Sequence, residues 1–276
     1  MITSTPAADG GWIIQASVRQ PSIYLDQDSL SDLARVGARR DRFLEIFRHK
    51  GTLLFSWTNA IDIAGPQDGT KRRIREFLDA IGPQWIPLEM NPYKVVRREQ
   101  GYEPTIGTPC VSESFFRHYY PIVHGNSLTL AQVVDLVHED REAVLASTRL
   151  MKEKVAQTVK DRRRDYERDS SRLDETMPPE PLDPARPAKF ILRRLERLIV
   201  SEARSHTWML NDSVDFCHAA VAGAYADLLL LDKHWRRRVL EAAPARAYPW
   251  VFYRKQLDEF LDIFEQSAIV QRLSTP

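Results

Sequence analysis

Cysteine is almost missing from this chain, which carries only Cys110 and Cys217 and no CxxC pair. That scarcity excludes a disulfide scaffold and a cysteine-ligated zinc site, and it suits a reducing, cytoplasmic setting. Long apolar runs are missing too. No stretch approaches a membrane span, so no membrane is expected as a partner. The first eleven residues are small and polar, with no basic segment ahead of a hydrophobic one. This speaks against a secretory signal and predicts a disordered tail over residues 1–11. A Gly-rich phosphate loop ending in Lys-Ser or Lys-Thr is absent, as is the GxSxG nucleophile elbow. P-loop nucleotide hydrolysis and Ser–His–Asp chemistry therefore have no support.

Neither sign of charge is in excess, since 39 Lys and Arg face 38 Asp and Glu for a net +1. The basic residues are nonetheless clustered, at Arg39-Arg40-Arg42, Lys71-Arg72-Arg73-Arg75, Arg162-Arg163-Arg164, Arg193-Arg194-Arg197 and Arg236-Arg237-Arg238. Such clusters can neutralise phosphates, although any one of them is more simply a solvated helix face balanced by nearby acids. With 43% hydrophobic residues in 276, the chain has enough apolar material for one large domain or two modest ones.

Short apolar runs alternate with helical patterns at both ends. Ser22-Ile23-Tyr24-Leu25 reads as a buried strand ending at Asp26, followed by a helix from Gln27 with Asp28 or Ser29 as N-cap. Residues 41–50 predict an amphipathic helix closed by Gly51. Thr52-Leu53-Leu54-Phe55-Ser56 is a second buried strand, residues 57–64 a short helix bearing Asp62, and residues 71–81 a helix stopped by Gly82-Pro83. Near the far end, Leu228-Leu229-Leu230-Leu231 is a continuous apolar run closing at Asp232-Lys233, and Trp250-Val251-Phe252 predicts a last strand. Helices are expected over residues 233–243 and 254–266. The alternation implies an α/β fold, a three-layer, doubly wound parallel sheet.

Between these ends the pattern changes. From about residue 91 no convincing strand occurs for more than a hundred residues, and Pro104, Pro109 and Pro121 break the region into loops and short helices. Residues 142–168 predict one long charged helix with Val144, Thr148, Met151, Val155 and Val159 along one side. A loop with five prolines (178, 179, 181, 184 and 187) follows, then a helix over residues 189–210 striped by Ile191, Leu195, Leu198 and Ile199. The two stripes predict an antiparallel hairpin. One α/β domain, residues 12–100 and 206–276, is thus read as interrupted by a helical insertion, residues 101–205.

The acids stand where chemistry would need them. Asp26, Asp62 and Asp232 each follow a buried strand, directly or on the next helix, and Asp212 and Asp215 lie nearly one turn apart at a helix start. In an open parallel sheet the strand carboxyl ends gather along one edge, where ligands bind. Carboxylates converging there suit a hard divalent cation, Mg²⁺ or Mn²⁺, which takes oxygen ligands. Each acid taken alone is equally a helix N-cap, Asp212 included; Asp232, directly after four leucines, is the hardest to explain that way.

These residues together resemble the PIN-like superfamily of metal-dependent nucleases. The resemblance rests on the strand–Asp of Ile23-Tyr24-Leu25-Asp26, the Ser56-to-Asp62 spacing, Asp215 with Ala219 and Ala220 four and five residues on, and the strand–Asp of residues 228–232. It covers roughly residues 20–100 and 206–265. Asp62 replaces a more usual Glu, and Leu230 replaces a common Ser or Thr. What the resemblance implies is hydrolysis of phosphodiester bonds, most often in single-stranded or structured RNA, by an endoribonuclease. Asp26, Asp215 and Asp232 would hold the metal with Asp62 shared, and Asp212 as an alternative ligand. Lys233, Arg236 or His218 would meet the phosphate, although His218 reads better as a core residue, and Glu99 is an outside candidate ligand. The hairpin would add Arg162 to Arg164 or Arg193 to Arg197, Arg163 and Arg194 among them, as a basic wall beside the acids, or serve a protein partner or a second copy. A non-catalytic PIN-like scaffold that binds RNA or protein is the competing reading. Arg117 and His124 loosely resemble the arginine–histidine motif of helical HEPN ribonucleases, but Pro121 between them would break the helix presenting both.

Overall fold

The computed structural model describes residues 2–6, 12–63, 69–115, 129–179, 181, 183–243 and 250–273. Arg117 and His124 lie outside them. The four short apolar runs are strands, and each is too apolar to face water: β3 (Ser22–Leu25), β4 (Thr52–Phe55) and β6 (Leu228–Leu231) are buried along their whole length. They join β5 (Trp85–Pro87) and β7 (Trp250–Tyr253) in a five-stranded, all-parallel sheet of order β5–β4–β3–β6–β7. The order runs outward from β3 in one direction and, after the long excursion, outward in the other. The reversal therefore falls between β3 and β6. Their registers match Ile23 to Leu228 and Leu25 to Leu230, so β6 ends one residue beyond β3 at the same edge.

Two expectations need correction at the strands. Residues 2–6 are not a tail but strand β1 (Ile2–Pro6), paired antiparallel with β2 (Trp12–Ala16), which gives the inward-facing backbone groups of each strand their partners. Strand β5 was not expected at all; three residues with two prolines nearby carry no readable period.

Helices fill the connections. Between β3 and β4 lie α1 (Gln27–Leu33) and α2 (Ala38–His49), and between β4 and β5 lie α3 (Trp57–Ile63) and α4 (Gly69–Ile81). After β5 come α5 (Pro92–Glu99), α6 (Leu130–Glu139), α7 (Arg141–Arg168), α8 (Arg172–Thr176), α9 (Pro187–Ser201) and α10 (Asp212–Tyr225). Helix α11 (Lys233–Ala242) links β6 to β7, and a 3₁₀ turn (Arg254–Gln256) leads into α12 (Leu257–Leu273). Helix α12 returns to α2, where Phe43 and Phe47 meet Phe260 and Phe264 at ring separations of 5.6–6.4 Å. Among the described residues no helix is long and apolar enough to cross a membrane.

The region between β5 and β6 is helical, as expected, but its stripes are spent differently. Helix α9 packs chiefly on α10 rather than on α7. A Cβ on Gly223 of α10 would stand 3.5 Å from both Ile191 of α9 and Val239 of α11, so those three helices sit close. Helix α7 lies over α9 and α10, burying only Val159 and Arg163 fully. Its Met151 sulfur lies 3.7 Å from Cys217 Sγ of α10. The helix expected to reach residue 210 ends at Ser201, beyond which Arg163 donates to the backbone oxygens of Ile199 and His206.

Candidate active site

The shared edge of β3 and β6 places two aspartates side by side. The Asp26 amide donates to Leu230 O at 2.9 Å, continuing the ladder one residue past β3, and Asp232 follows two residues later. Both acids cap helices. Asp26 Oδ1 accepts the Ser29 amide at 2.8 Å, which makes Asp26, and not Asp28 or Ser29, the N-cap of α1. Asp232 Oδ1 accepts the amides of His234 and Trp235 at 2.6 and 3.0 Å. A capped carboxylate is fixed in orientation, and in both residues these capping bonds engage Oδ1.

Two more acids arrive from neighbouring helices. Asp215, in the first turn of α10, and Asp62, on α3, line the same small cleft of about 70 Å³ as Asp26 and Asp232. Four of the five expected acids therefore meet. Asp212 does not line the cleft: its Oδ2 accepts the Met209 amide at 2.7 Å and lies 3.2 Å from His206 Nε2, closing the loop ahead of α10. Between Asp212 and Asp215 the geometry thus favours Asp215. It is reached because one turn of helix separates them while only the later one faces the sheet edge.

Burial raises three of these carboxyls. Asp215 is pushed up to about 7, by burial first and then by the charges of Asp232, Asp212 and Asp26. Asp26 is pushed up to about 6, mainly by burial, against the pull of its Ser29 hydrogen bonds. Asp62, at the exposed lip, is also raised by the protein around it, while Lys152 and Lys71 pull it down. Among the described residues none of the four is salt-bridged, whereas Asp258, Asp135 and Glu202 each pair with an arginine.

The floor of the cleft holds polar atoms without partners. Gln27 Oε1 is buried and, among the described residues, makes no hydrogen bond, while the buried Tyr24 Oη has the Asn59 side chain beside it but no partner in good hydrogen-bond geometry. A buried phenol and amide oxygen left unsatisfied are costly unless something else meets them. His218 also lines the cleft, but its Nε2 is within 2.7 Å of Ser56 Oγ and 3.0 Å of Thr58 Oγ1, and burial drives it down to about 3. It is a neutral tie between α10 and the β4–α3 corner and brings no positive charge to a phosphate.

The donor set suits a hard cation: carboxylate oxygens, an amide oxygen and no competing ammonium bound to them. The fit is one of chemistry and place. Among the described residues no three His, Cys, Asp or Glu side chains already stand close enough to hold a metal, so closing on an ion requires side-chain rotation.

The expected basic wall is not built from the expected residues. Arg163 is buried against Trp208, its guanidinium 5.5 Å from the ring, and donates to two carbonyls. Arg162 and Arg193 pair with Glu196, Arg197 with Asp174, and Arg194 lies over Phe190 at 5.3 Å. Arg236 donates to Val251 O and stacks on Tyr253, whereas Lys233, next in sequence to Asp232, is exposed. Hydrogen bonds and rings satisfy these arginines internally, which is why their clustering in sequence misled. Glu99 is likewise structural, accepting the Ala188 and Lys189 amides at the start of α9 and the Tyr225 hydroxyl.

Lys152 is the site residue missed. It projects from α7, donates to Asn211 Oδ1 at 3.1 Å, and its charge opposes the rise of both Asp62 and Asp215. The signal was present: Lys152 sits four residues after Thr148 and next to Met151, a cation at the border of the apolar stripe. Comparison with protein-family models, curated proteins and solved structures gave no match.

Proposed function

We propose that this chain is a PIN-like, metal-dependent nuclease that hydrolyses phosphodiester bonds, in RNA foremost. The observation that carries the reading is the meeting of Asp26, Asp62, Asp215 and Asp232 in one cleft at the point where strand order reverses. Right-handed crossovers running both ways from β3 would set helices on both faces of the sheet, the three-layer, doubly wound arrangement of that superfamily.

Asp26, Asp215 and Asp232 would hold Mg²⁺ or Mn²⁺, with Asp62 shared at the lip. The bound cation would polarise a phosphate oxygen and lower the pKa of a water beside it. The protein's own part is orientation. The caps at Asp26 and Asp232 fix two carboxylates, and Tyr24 Oη supplies an O–H donor beneath them. Lys152 and Lys233 flank the acids and would draw the phosphate backbone to an otherwise repellent cleft.

Labelled single-stranded RNA incubated with the protein and Mn²⁺ should be cut, and EDTA should stop the cutting. Cleavage that persists in EDTA would reject the metal mechanism. Absence of cleavage across RNA and DNA of varied sequence would favour the non-catalytic scaffold.

A further inference from the structure

A second and larger hollow, of about 380 Å³, lies against the acidic cleft. Its walls include Trp57 and Thr58 of α3, Met90 and Asn91 ahead of α5, and Thr148 and Met151 of α7. The two spaces share a partition. Thr58 Oγ1 lies 3.7 Å from Met90 Sδ on one side and 3.0 Å from His218 Nε2 on the other. Helix α3 gives Trp57 and Thr58 to the hollow and Asn59 and Asp62 to the cleft, a separation of about two turns at most. Helix α7 likewise gives Met151 to the hollow, while the next residue, Lys152, acts on Asp62 and Asp215.

The lining says what fits. Among the described residues it contains no Lys or Arg, so nothing described there would bind an anion. Its single carboxylate, Glu89, is buried and balanced by Lys94 at 3.5 Å and Arg98 at 3.3 Å, neither of which lines the space. What remains is an indole backed by Phe115 at 5.2 Å, two thioethers, the small apolar side chains of Ala143 and Val144, and short polar groups. Indole and thioether surfaces favour a flat π-system. Around them, Thr148, Glu89 and Asn91 offer hydroxyl, carboxylate and amide groups for its edge; Asn91 Oδ1 caps α5, which leaves its NH₂ as donor. The volume lies within the range of small-ligand pockets.

We propose that this hollow is a nucleobase subsite, taking the uncharged base of a nucleotide whose neighbouring phosphate lies at the acidic cleft. The assignment rests on the nuclease reading above and gives that site a grip on the substrate that does not depend on charge.

Saturation-transfer NMR on the full chain with adenosine, guanosine, cytidine and uridine, with free ribose as control, tests it. At least one nucleoside should receive saturation, more on base than on ribose protons, and free ribose none. Filling the hollow with Thr148→Trp, or Ser147→Phe from the same exposed helix face, should raise that nucleoside's dissociation constant about tenfold or more, the scale of one lost base–aromatic stack. Circular dichroism and melting temperature select the variant that keeps the native fold. No transfer to any nucleoside, or binding unchanged in a folded filled variant, overturns the subsite even where Mn²⁺-dependent cleavage is seen. Nucleoside binding lost on filling sustains the subsite even where no cleavage occurs, and the nuclease reading alone then fails.

Discussion

The amide of Asp26 donates to the carbonyl of Leu230 across 2.9 Å. That bond ties the end of β3 to the end of β6 and sets Asp26 and Asp232 at one edge, each capping the helix that leaves it. A carboxylate that serves both as cap and as cation ligand has two roles that substitution can separate. Asparagine caps as well as aspartate but carries no charge, whereas alanine does neither. Asp232→Asn should therefore keep its melting temperature and lose RNA cleavage by roughly 100-fold or more. Asp232→Ala should lose the same activity and about 1 kcal/mol of stability in addition. Equal unfolding in both variants, or full activity in Asp232→Asn, would reduce the residue to a cap.

How far this site could be read in advance follows from the same edge. Strands that are continuous apolar runs announce themselves, so β3, β4 and β6 and the acids at their ends were legible. Strand β5 was not, because three residues show no period, and β1 was not, because its pairing partner rather than its composition orders it. The arginine clusters misled for a related reason. Sequence shows that Arg162, Arg163 and Arg197 are charged but not that Glu196, two carbonyls and Asp174 satisfy them. Lys152 was overlooked because its importance depends on how α7 is laid over α10, which the apolar stripe locates only to a face.

Acidity gives a second expectation. Asp215 and Asp26 are held up to about 7 and about 6 by burial and by their neighbours, so the folded, metal-free protein binds their protons more tightly than the unfolded chain does. Their contribution to stability is present near pH 4 and is lost as pH rises through 6 and 7. His218, depressed to about 3, works in the opposite sense below its unfolded value. The difference between wild type and Asp215→Asn isolates the acid. Melting temperatures measured in EDTA should show wild type losing ground to Asp215→Asn between pH 4 and 7. Mn²⁺ affinity by calorimetry should rise over the same interval, with protons released. A pH-independent gap between the two proteins would contradict the burial of these carboxyls.

Arg163 offers a check on the rejected basic wall. Its guanidinium donates to Ile199 O at 3.0 Å and His206 O at 2.7 Å while lying over Trp208. Arg163→Ala would leave two carbonyls without their charged donor, a loss of about 2–3 kcal/mol. Urea unfolding should record that loss, and Mn²⁺ binding to the folded fraction should be unchanged. A stable Arg163→Ala protein with weakened RNA binding would instead return this residue to the substrate groove.

Lys152 makes the contrasting case. It is half-exposed, reaches Asn211, and acts electrostatically on Asp62 and Asp215, so its removal should cost little stability. Lys152→Met keeps the aliphatic stem that lies along α7 and removes only the charge. If the ammonium meets a phosphate, RNA affinity should fall, and the slope of log K against log salt should become shallower by about 0.7, the share of one phosphate contact on a single strand. If it only lowers the proton affinity of the acids, Mn²⁺ binding would weaken near neutral pH while the salt slope stayed fixed. Anisotropy titrations at four salt concentrations distinguish the two, because counterion release depends on contacts with phosphate and not on the protonation of Asp62 or Asp215. A change in the slope places Lys152 against the substrate; a change confined to the cation places it behind the carboxylates.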